Sequence, residues 1–234
     1  MGMNAVRSAL LACAVLLPIS GCHAAPVAGA ANSSTAIRKF PLPQHDAKLA
    51  KAPLQTAVFA GGCFWGTQSV FERVKGVTNT AAGYAGGSAE TATYDQVTTE
   101  TTGHAESVQV TYDPSVITYG GLLRIFFSVA HDPTQLNRQG PDEGTSYRSA
   151  IFFATPQQQE LAKSYIAQLN AAHLFSSPIV TEVTPLKGFY RAEAYHQDYA
   201  LHNPNNPYIE VCDRPKIAAL RATYPDLFVD YKGQ

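Results

Sequence analysis

Cys63 is the residue in this chain best placed for covalent chemistry, within Gly61-Gly62-Cys63-Phe64-Trp65-Gly66. The apolar run Thr56-Ala57-Val58-Phe59-Ala60 predicts a buried strand before it. Val70, Phe71 and Val74 at helical spacing predict a helix over 68–75 after it, with Gly76 as its stop. Cys63 thus falls in a glycine-rich turn leading into a helix. Unpaired backbone N–H groups and the positive end of the helix dipole favour a thiolate there, so a lowered thiol pKa is expected. Phe64 and Trp65 add two large aromatic faces beside the sulfur. A plainer role, a buried structural cysteine in a tight turn, suits the same residues.

The second reactive group is a carboxylate. Ala105 to Tyr112 alternates, with Val108, Val110 and Tyr112 on one side and Ser107, Gln109 and Thr111 on the other. Glu106 shares the apolar parity. A carboxyl group on the inward face of a strand has a raised pKa and suits general acid work near neutral pH. A strand-end carboxylate still wet at the sheet's edge is the competing picture. His104, His131 and His196 offer partners for a Cys–His hydrolase, but no spacing selects one of them. No compact ligand spacing joins them to Cys63 as a metal site. The chain has no CxxC, which argues against a thioredoxin-type motif.

The elements that must carry these groups follow from the rest of the chain. The 234 residues suit one domain with an appendage. With 17 basic against 18 acidic residues and no basic stripe, nothing points to nucleic acid. Residues 1–21 read as a lipoprotein-type signal peptide: Arg7, then an apolar run from Ala9 to Ile19 too short to span a bilayer. It ends in Ile19-Ser20-Gly21-Cys22, which resembles the bacterial lipobox and marks Cys22 for lipidation. Ordinary cleavage near Ala24-Ala25 is the other reading. Either route predicts export to the cell envelope or periplasm, and the lipid on Cys22 is the one membrane attachment expected. Residues 22–52, rich in Ala, Pro and Ser, read as a flexible tether before a domain over 53–234. Once Cys13 leaves with the signal and Cys22 carries lipid, Cys63 and Cys212 are the remaining thiols. They form either one structural disulfide or a catalytic pair, and the surroundings of Cys63 favour the second. Met1 and Met3 also leave, and a mature chain without the easily oxidised methionine weakly favours work under oxidising conditions.

Further strands are predicted at Val77 to Tyr84, Arg148 to Ala154 and Ile179 to Val183. Helices are predicted at Thr118 to Ala130, from the cap Thr155-Pro156 to about Ala172, and at Pro215 to Thr223. Tyr94 to Val97 reads as a helical turn, and Glu193 to Ala200 as one short helix. The long polar loop from His131 to Tyr147 is where function more often lives than packing. Alternating strands and helices with few long crossovers predict a mixed sheet with helices on its faces.

The six residues at Cys63 resemble the GCFWG signature of the peptide methionine sulfoxide reductase A family. The resemblance continues through Ala82-Gly83-Tyr84-Ala85-Gly86-Gly87, Thr93-Tyr94 and Thr102-Gly103-His104-Ala105-Glu106 to Val110-Thr111-Tyr112-Asp113-Pro114. It includes His131-Asp132-Pro133, Gly144-Thr145-Ser146-Tyr147-Arg148-Ser149 and Ala192-Glu193-Ala194-Tyr195-His196-Gln197. It implies an α+β two-layer sandwich with a mixed central sheet and a ferredoxin-like core. It implies reduction of the S epimer of methionine sulfoxide, free or in proteins; a monomer without cofactor or metal is expected. Carried onto this chain, Cys63 attacks the sulfoxide sulfur, and Glu106 protonates the oxygen with help from the hydroxyls of Tyr94 and Tyr147. Phe64 and Trp65 enclose the S-methyl group, and Asp142 contacts the substrate backbone. The sulfenic acid left on Cys63 is resolved by a second thiol and then reduced by a thioredoxin-like dithiol donor. The departure is at the C-terminus. In place of resolving cysteines in a glycine-rich tail, this chain reads Asn205-Asn206-Pro207-Tyr208-Ile209-Glu210-Val211-Cys212-Asp213-Arg214-Pro215-Lys216. Cys212 is either a relocated resolver on a mobile coil or a bystander. A catalytically silent lipoprotein binding module on the same fold is the alternative function, and turnover of a sulfoxide substrate with a small dithiol separates the two.

Overall fold

The structure, a computed structural model, describes residues 40–233. The signal read at 1–21, the lipid site read at Cys22 and the tether as far as Lys39 lie outside the described residues.

The strands are β1 (Gln55–Gly61), β2 (Val77–Ala85), β3 (Ala105–Tyr112), β4 (Arg138–Gln139), β5 (Asp142–Glu143), β6 (Ser149–Phe153), β7 (Glu182–Pro185) and β8 (Phe189–Arg191). The helices are α1 (Phe64–Phe71), α2 (Tyr94–Val97), α3 (Tyr119–Ile125), α4 (Pro156–Ala171), α5 (Tyr199–His202) and α6 (Arg214–Thr223). Six strands form one mixed sheet in the order β7-β6-β1-β3-β2-β8, and β4 and β5 form a small separate ladder. Every neighbouring pair in the large sheet is antiparallel except β6 and β7. The architecture is mixed α+β, as read from the alternation of elements.

The continuous apolar run of β1 follows from burial on both faces. Phe59 points into the main core, stacked on Phe71 at 5.2 Å and on Phe126 at 5.0 Å. Val58 and Ala60 join Ala105, Ala150 and Phe152 in a smaller cluster on the other face, partly covered by Leu186 and Phe189.

Several boundaries differ from the sequence reading for physical reasons. Helix α1 starts at Phe64 rather than Gln68, and Thr67, Gln68 and Ser69 are as buried as its apolar residues. A helix buried all round has no polar face, so its first turn carries no hydrophobic period. Gln68 is bonded instead: its Nε2 donates to Thr80 Oγ1 at 3.3 Å, and its Oε1 accepts from the Asp198 N–H at 3.1 Å. The helix read over Thr118 to Ala130 is α3 followed by a π-helical turn, Phe126–Ala130. The strand read from Ile179 starts at Glu182, because the Ile179 N–H is taken by the Asn170 side chain. The single helix read at Glu193 to Ala200 is a 3-10 turn, Ala194–His196, and then α5. The coil expected around Cys212 is another π-helical turn, Ile209–Asp213, continuous with α6.

The tether read to residue 52 also ends earlier. Phe40 is 5% exposed and meets Phe175 edge to face at 5.6 Å. The carbonyls of Phe40, Pro41 and Leu42 accept from Arg124, Tyr165 and Gln168 at 2.8–2.9 Å. Burying one phenylalanine contributes about 2–3 kcal/mol, so the folded unit already includes Phe40, well before Pro53. One aromatic and three main-chain carbonyls leave no period in the sequence, which is why the tether reading missed them.

Candidate active site

Strand β1 ends at Gly61, and Gly62, at φ +85°, turns the chain so that Cys63 becomes the N-cap of α1. Cys63 is 8% exposed and Glu106, opposite it on β3, is 3% exposed. The Phe64 N–H, one of the unpaired donors at the start of α1, donates to Glu106 Oε2 at 3.0 Å. Glu106 therefore lies inward, as its parity indicated, and not at a wet sheet edge.

The electrostatics reverse one sequence expectation. Burial pushes the Cys63 thiol well above its ordinary range, and the charges of Glu106 and Asp213 push it further. The Trp65 N–H and the Lys216 ammonium pull the other way without prevailing. A helix terminus contributes at most about 2 kcal/mol to an anion, while full burial shifts a pKa by roughly 3–5 units, so burial wins. Glu106 is also held up, at about 8, chiefly by burial; the Phe64 N–H lowers it, and the charges of Asp142 and Glu100 raise it. At neutral pH both groups carry their protons.

The remaining residues close around this pair. Tyr147 lies in the 3-10 turn Thr145–Tyr147. Burial first, then the charges of Glu106, Cys63 and Asp142, raise the phenol pKa values of both Tyr94 and Tyr147. Asp142 Oδ2 accepts from the Tyr208 hydroxyl at 2.5 Å, and Tyr208 stands edge-on to Trp65 at 6.0 Å. Trp65 is stacked flat on Tyr199 at 3.8 Å, and its Nε1 donates to His196 Nδ1 at 3.2 Å. Phe64 is fully buried, 4.9 Å from the His196 ring and 5.8 Å from Tyr84. Burial lowers the His196 pKa, so the ring is neutral; with Nδ1 accepting, its proton sits on Nε2, 4.0 Å from Glu193 Oε2. Glu193 organises this wall, accepting from the Tyr84 hydroxyl and from the Tyr94 N–H, each at 2.9 Å.

The structure thus brings Cys63, Glu106, Tyr94, Tyr147, Asp142, Phe64 and Trp65 together. Cys212 is half-buried in the π-turn on α1's side of the site, and both cysteines are free thiols, so the structural disulfide is not formed. The Asp213 carboxylate and Lys216 ammonium, paired at 3.2 Å, act on both sulfurs. The hydrolase couple is not assembled among the described residues. His104 is bonded to the Gly87 N–H and the Ser88 carbonyl, His131 to the Phe126 carbonyl and the Ser149 hydroxyl. No group of three or more His, Cys, Asp or Glu among the described residues is arranged to hold a metal ion. Sequence reasoning did not single out Tyr84, Tyr199, Tyr208, Asp213 or Lys216. Glu193 stood inside a quoted block and carried no assigned role. A 790 Å³ cavity lined by Asp46, Leu54, Tyr119 and Leu161 shares no residue with this cluster and offers no comparable chemistry.

Compared with known proteins, residues 55–226 match the family model described as peptide methionine sulfoxide reductase. The chain belongs to this family. The family is one of oxidoreductases. The chain is 56% identical over 174 residues to peptide methionine sulfoxide reductase MsrA 2 of Mesorhizobium japonicum, covering 74% of this chain and 89% of that one. It is 52% identical over 172 residues to MsrA 2 of Synechocystis, covering 74% and 80%. Methionine sulfoxide reductase A of Corynebacterium diphtheriae superposes with a TM-score of 0.58 at 35% identity, covering 72% of this chain and 91% of that one.

The proton arrangement of this reductase can be read directly. Following the ultraviolet absorbance of the thiolate during a pH titration, Cys63 is expected to remain protonated through neutral pH. In Glu106→Gln its ionisation should move to lower pH, because an amide cannot repel the thiolate. A thiolate already present at pH 7 in the wild type would contradict the dominance of burial.

Proposed function

We propose that the chain reduces the S epimer of methionine sulfoxide, free or in proteins, to methionine through a sulfenic acid on Cys63. The observation that carries this reading is a buried, protonated carboxyl held by the Phe64 N–H directly beside a buried thiol. A sulfoxide oxygen entering the site is a strong acceptor and takes the Glu106 proton, with the Tyr94 and Tyr147 hydroxyls as further donors. Protonation makes the sulfoxide sulfur electrophilic. Cys63 attacks it and passes its own proton to the vacated Glu106 carboxylate, with which the thiol is hydrogen-bonded. The oxygen moves to Cys63: sulfoxide plus thiol become methionine plus sulfenic acid, and Glu106 ends in its starting state. Phe64 and Trp65 supply the apolar wall for the S-methyl group. Asp142, with Tyr208 donating to it, serves the substrate backbone. A thioredoxin-like dithiol is the proposed reductant and a monomer the proposed working form. The inner strand order β6-β1-β3-β2, with helices after β1 and β3, supports reading the core as a ferredoxin-like two-layer sandwich.

Single-turnover formation of methionine tests the chemistry. Cys63→Ser is expected to abolish it, and Glu106→Gln to slow it by roughly 10²–10⁴-fold. The wild-type rate should fall as pH rises through about 8, where Glu106 loses its proton, and Glu106→Gln should lack that limb. Substantial turnover by Cys63→Ser, or an unchanged rate in Glu106→Gln, would remove the corresponding assignment.

We also propose that Cys212 resolves the sulfenic acid, giving a Cys63–Cys212 disulfide and water. Support comes from the π-turn beside α1 and from the charged pair that reaches both sulfurs. Excess sulfoxide without reductant should yield one methionine per chain, loss of both thiols and a Cys63–Cys212 peptide on digestion. Cys212→Ser should still form one methionine but recycle slowly with thioredoxin. Normal recycling by that variant makes Cys212 a bystander.

For the N-terminus, the proposal is export with lipid on Cys22, motivated by the Ile19-Ser20-Gly21-Cys22 pattern. Cys22→Ser should then leave the membrane fraction, whereas soluble wild-type protein beginning near Ala25 would mean plain secretion.

A further inference from the structure

Tyr147 sits in a loop, yet it must hold a hydroxyl against Glu106, which stands on a strand. The residues on either side of Tyr147 show how. Ser146, itself 2% exposed, donates its N–H to Glu100 Oε2 at 2.7 Å and its hydroxyl to Glu100 Oε1 at 2.6 Å. Thr145 Oγ1 donates to Glu100 Oε2 at 3.0 Å. One carboxylate therefore takes three hydrogen bonds from two consecutive residues. The carboxylate also lies flat on Gly144, at φ +137°, leaving no room there for a Cβ. Glu100 adopts a left-handed φ of +62° to reach this position, a conformation that costs about 1 kcal/mol or more in a residue other than glycine.

On the other side, Arg148 Nη1 donates to the Thr145 carbonyl at 2.8 Å and to the His104 carbonyl at 3.1 Å. Its Nη2 donates to the Gly103 carbonyl at 2.9 Å. Both anchors, Glu100 and the 103–104 backbone, belong to the short loop that runs into β3, where Glu106 is the second residue. The loop carrying the phenol is thus tied at both ends to the loop that leads into the strand carrying Glu106.

We propose that Glu100 is a positioning residue of the reductase: its carboxylate latches the Thr145-Ser146 turn to the segment entering β3 and so sets the Tyr147 hydroxyl against Glu106. This rests on the roles given above to Tyr147 and Glu106, which the test examines separately. The charge has a second effect. Glu100 is among the groups that raise the Glu106 pKa. A latch made of a neutral amide would keep much of the geometry and lose that influence.

The test is single-turnover methionine formation at saturating sulfoxide, followed across pH, in the full chain. Tyr147→Phe is expected to slow the reaction. Glu100→Ala should slow it about tenfold, since hydrogen bonds to a charged group are worth roughly 1.5–3 kcal/mol. At pH below the alkaline limb of every variant, the double variant should be no slower than Tyr147→Phe alone, because there the latch acts through that hydroxyl. Glu100→Gln should recover most of the rate at neutral pH while its alkaline limb moves to lower pH. Ser146→Ala removes one bond from the opposite end and should slow the reaction about fivefold, which keeps the test decisive if Glu100→Ala fails to fold. A wild-type rate in Glu100→Ala or Ser146→Ala overturns the latch. So does a double variant showing the product of the two single losses. A silent Tyr147→Phe strikes first at the role of the hydroxyl and takes the latch with it, an outcome distinct from a slow Tyr147→Phe beside an unaffected Glu100→Ala.

Discussion

The hydrogen bond from the Phe64 N–H to Glu106 Oε2 is the contact on which the site depends. It joins the first turn of α1 to the inward face of β3, two elements brought together by the β1–β3 pairing. A buried carboxyl without partners is costly, and an unpaired helix N–H buried without an acceptor is costly too. Each removes the other's penalty. The bond also decides which end of β3 carries the acid, because the donors exist only where α1 begins, immediately after Cys63. Across the sheet, Tyr84 on β2 pairs with Glu106 and sends its hydroxyl to Glu193, so the acid's strand is braced by the residue that holds the aromatic wall.

Two effects compete for the Cys63 proton, and their sizes settle the outcome. The helix terminus and the Lys216 ammonium favour the anion; burial and two nearby carboxyl groups oppose it. Because Glu106 is itself protonated at neutral pH, its repulsion is dormant in the resting site. What remains is a neutral pair with one proton each, so a thiol at rest is shielded from stray electrophiles. A ligand whose oxygen takes the Glu106 proton creates the base that the thiol needs. The site's reactivity then belongs to the pair and not to a preformed thiolate.

Much of this was legible in residue types. Thr56 to Ala60 lies in strand β1, buried from Ala57 on, Ala105 to Tyr112 is β3 with Glu106 on the core face, and the cap Thr155-Pro156 opens α4. Period-based reasoning failed wherever a segment is buried on every side or held by single contacts. The start of α1 is one such place, and Phe40 is another. The roles of Glu193 and Tyr208 were invisible for a different reason. Each works by reaching across about 66 to 109 residues of sequence, to Asp142 in one case and Tyr84 in the other, and no local pattern records such a bond. The sign of the Cys63 shift was missed because helix position can be read from a sequence, while the depth of burial that outweighs it depends on the C-terminal segment folding over the site.

That C-terminal segment carries the last constraint. Asp213 is fully buried and bonded to Lys216, and the pair rests on α1 at Gly66, where no Cβ fits. One residue earlier the environment changes: Cys212 is half-buried and Val211 is 74% exposed. A disulfide needs its Cα atoms within about 7 Å, so a Cys212 that resolves Cys63 must be able to move if its resting place is farther away. For the resolving role proposed for Cys212, the π-turn is the element that would have to give way. Its hydrogen-bond pattern is less favourable than that of an α-helix, and its outer residues have little packing to lose, so it opens at lower cost than α6 behind it. Asp213 and Lys216, pinned to α1, hold one end of this turn and the buried Ile209 the other, so the proposed resolving step asks only the less buried residues 210–212 between them to move.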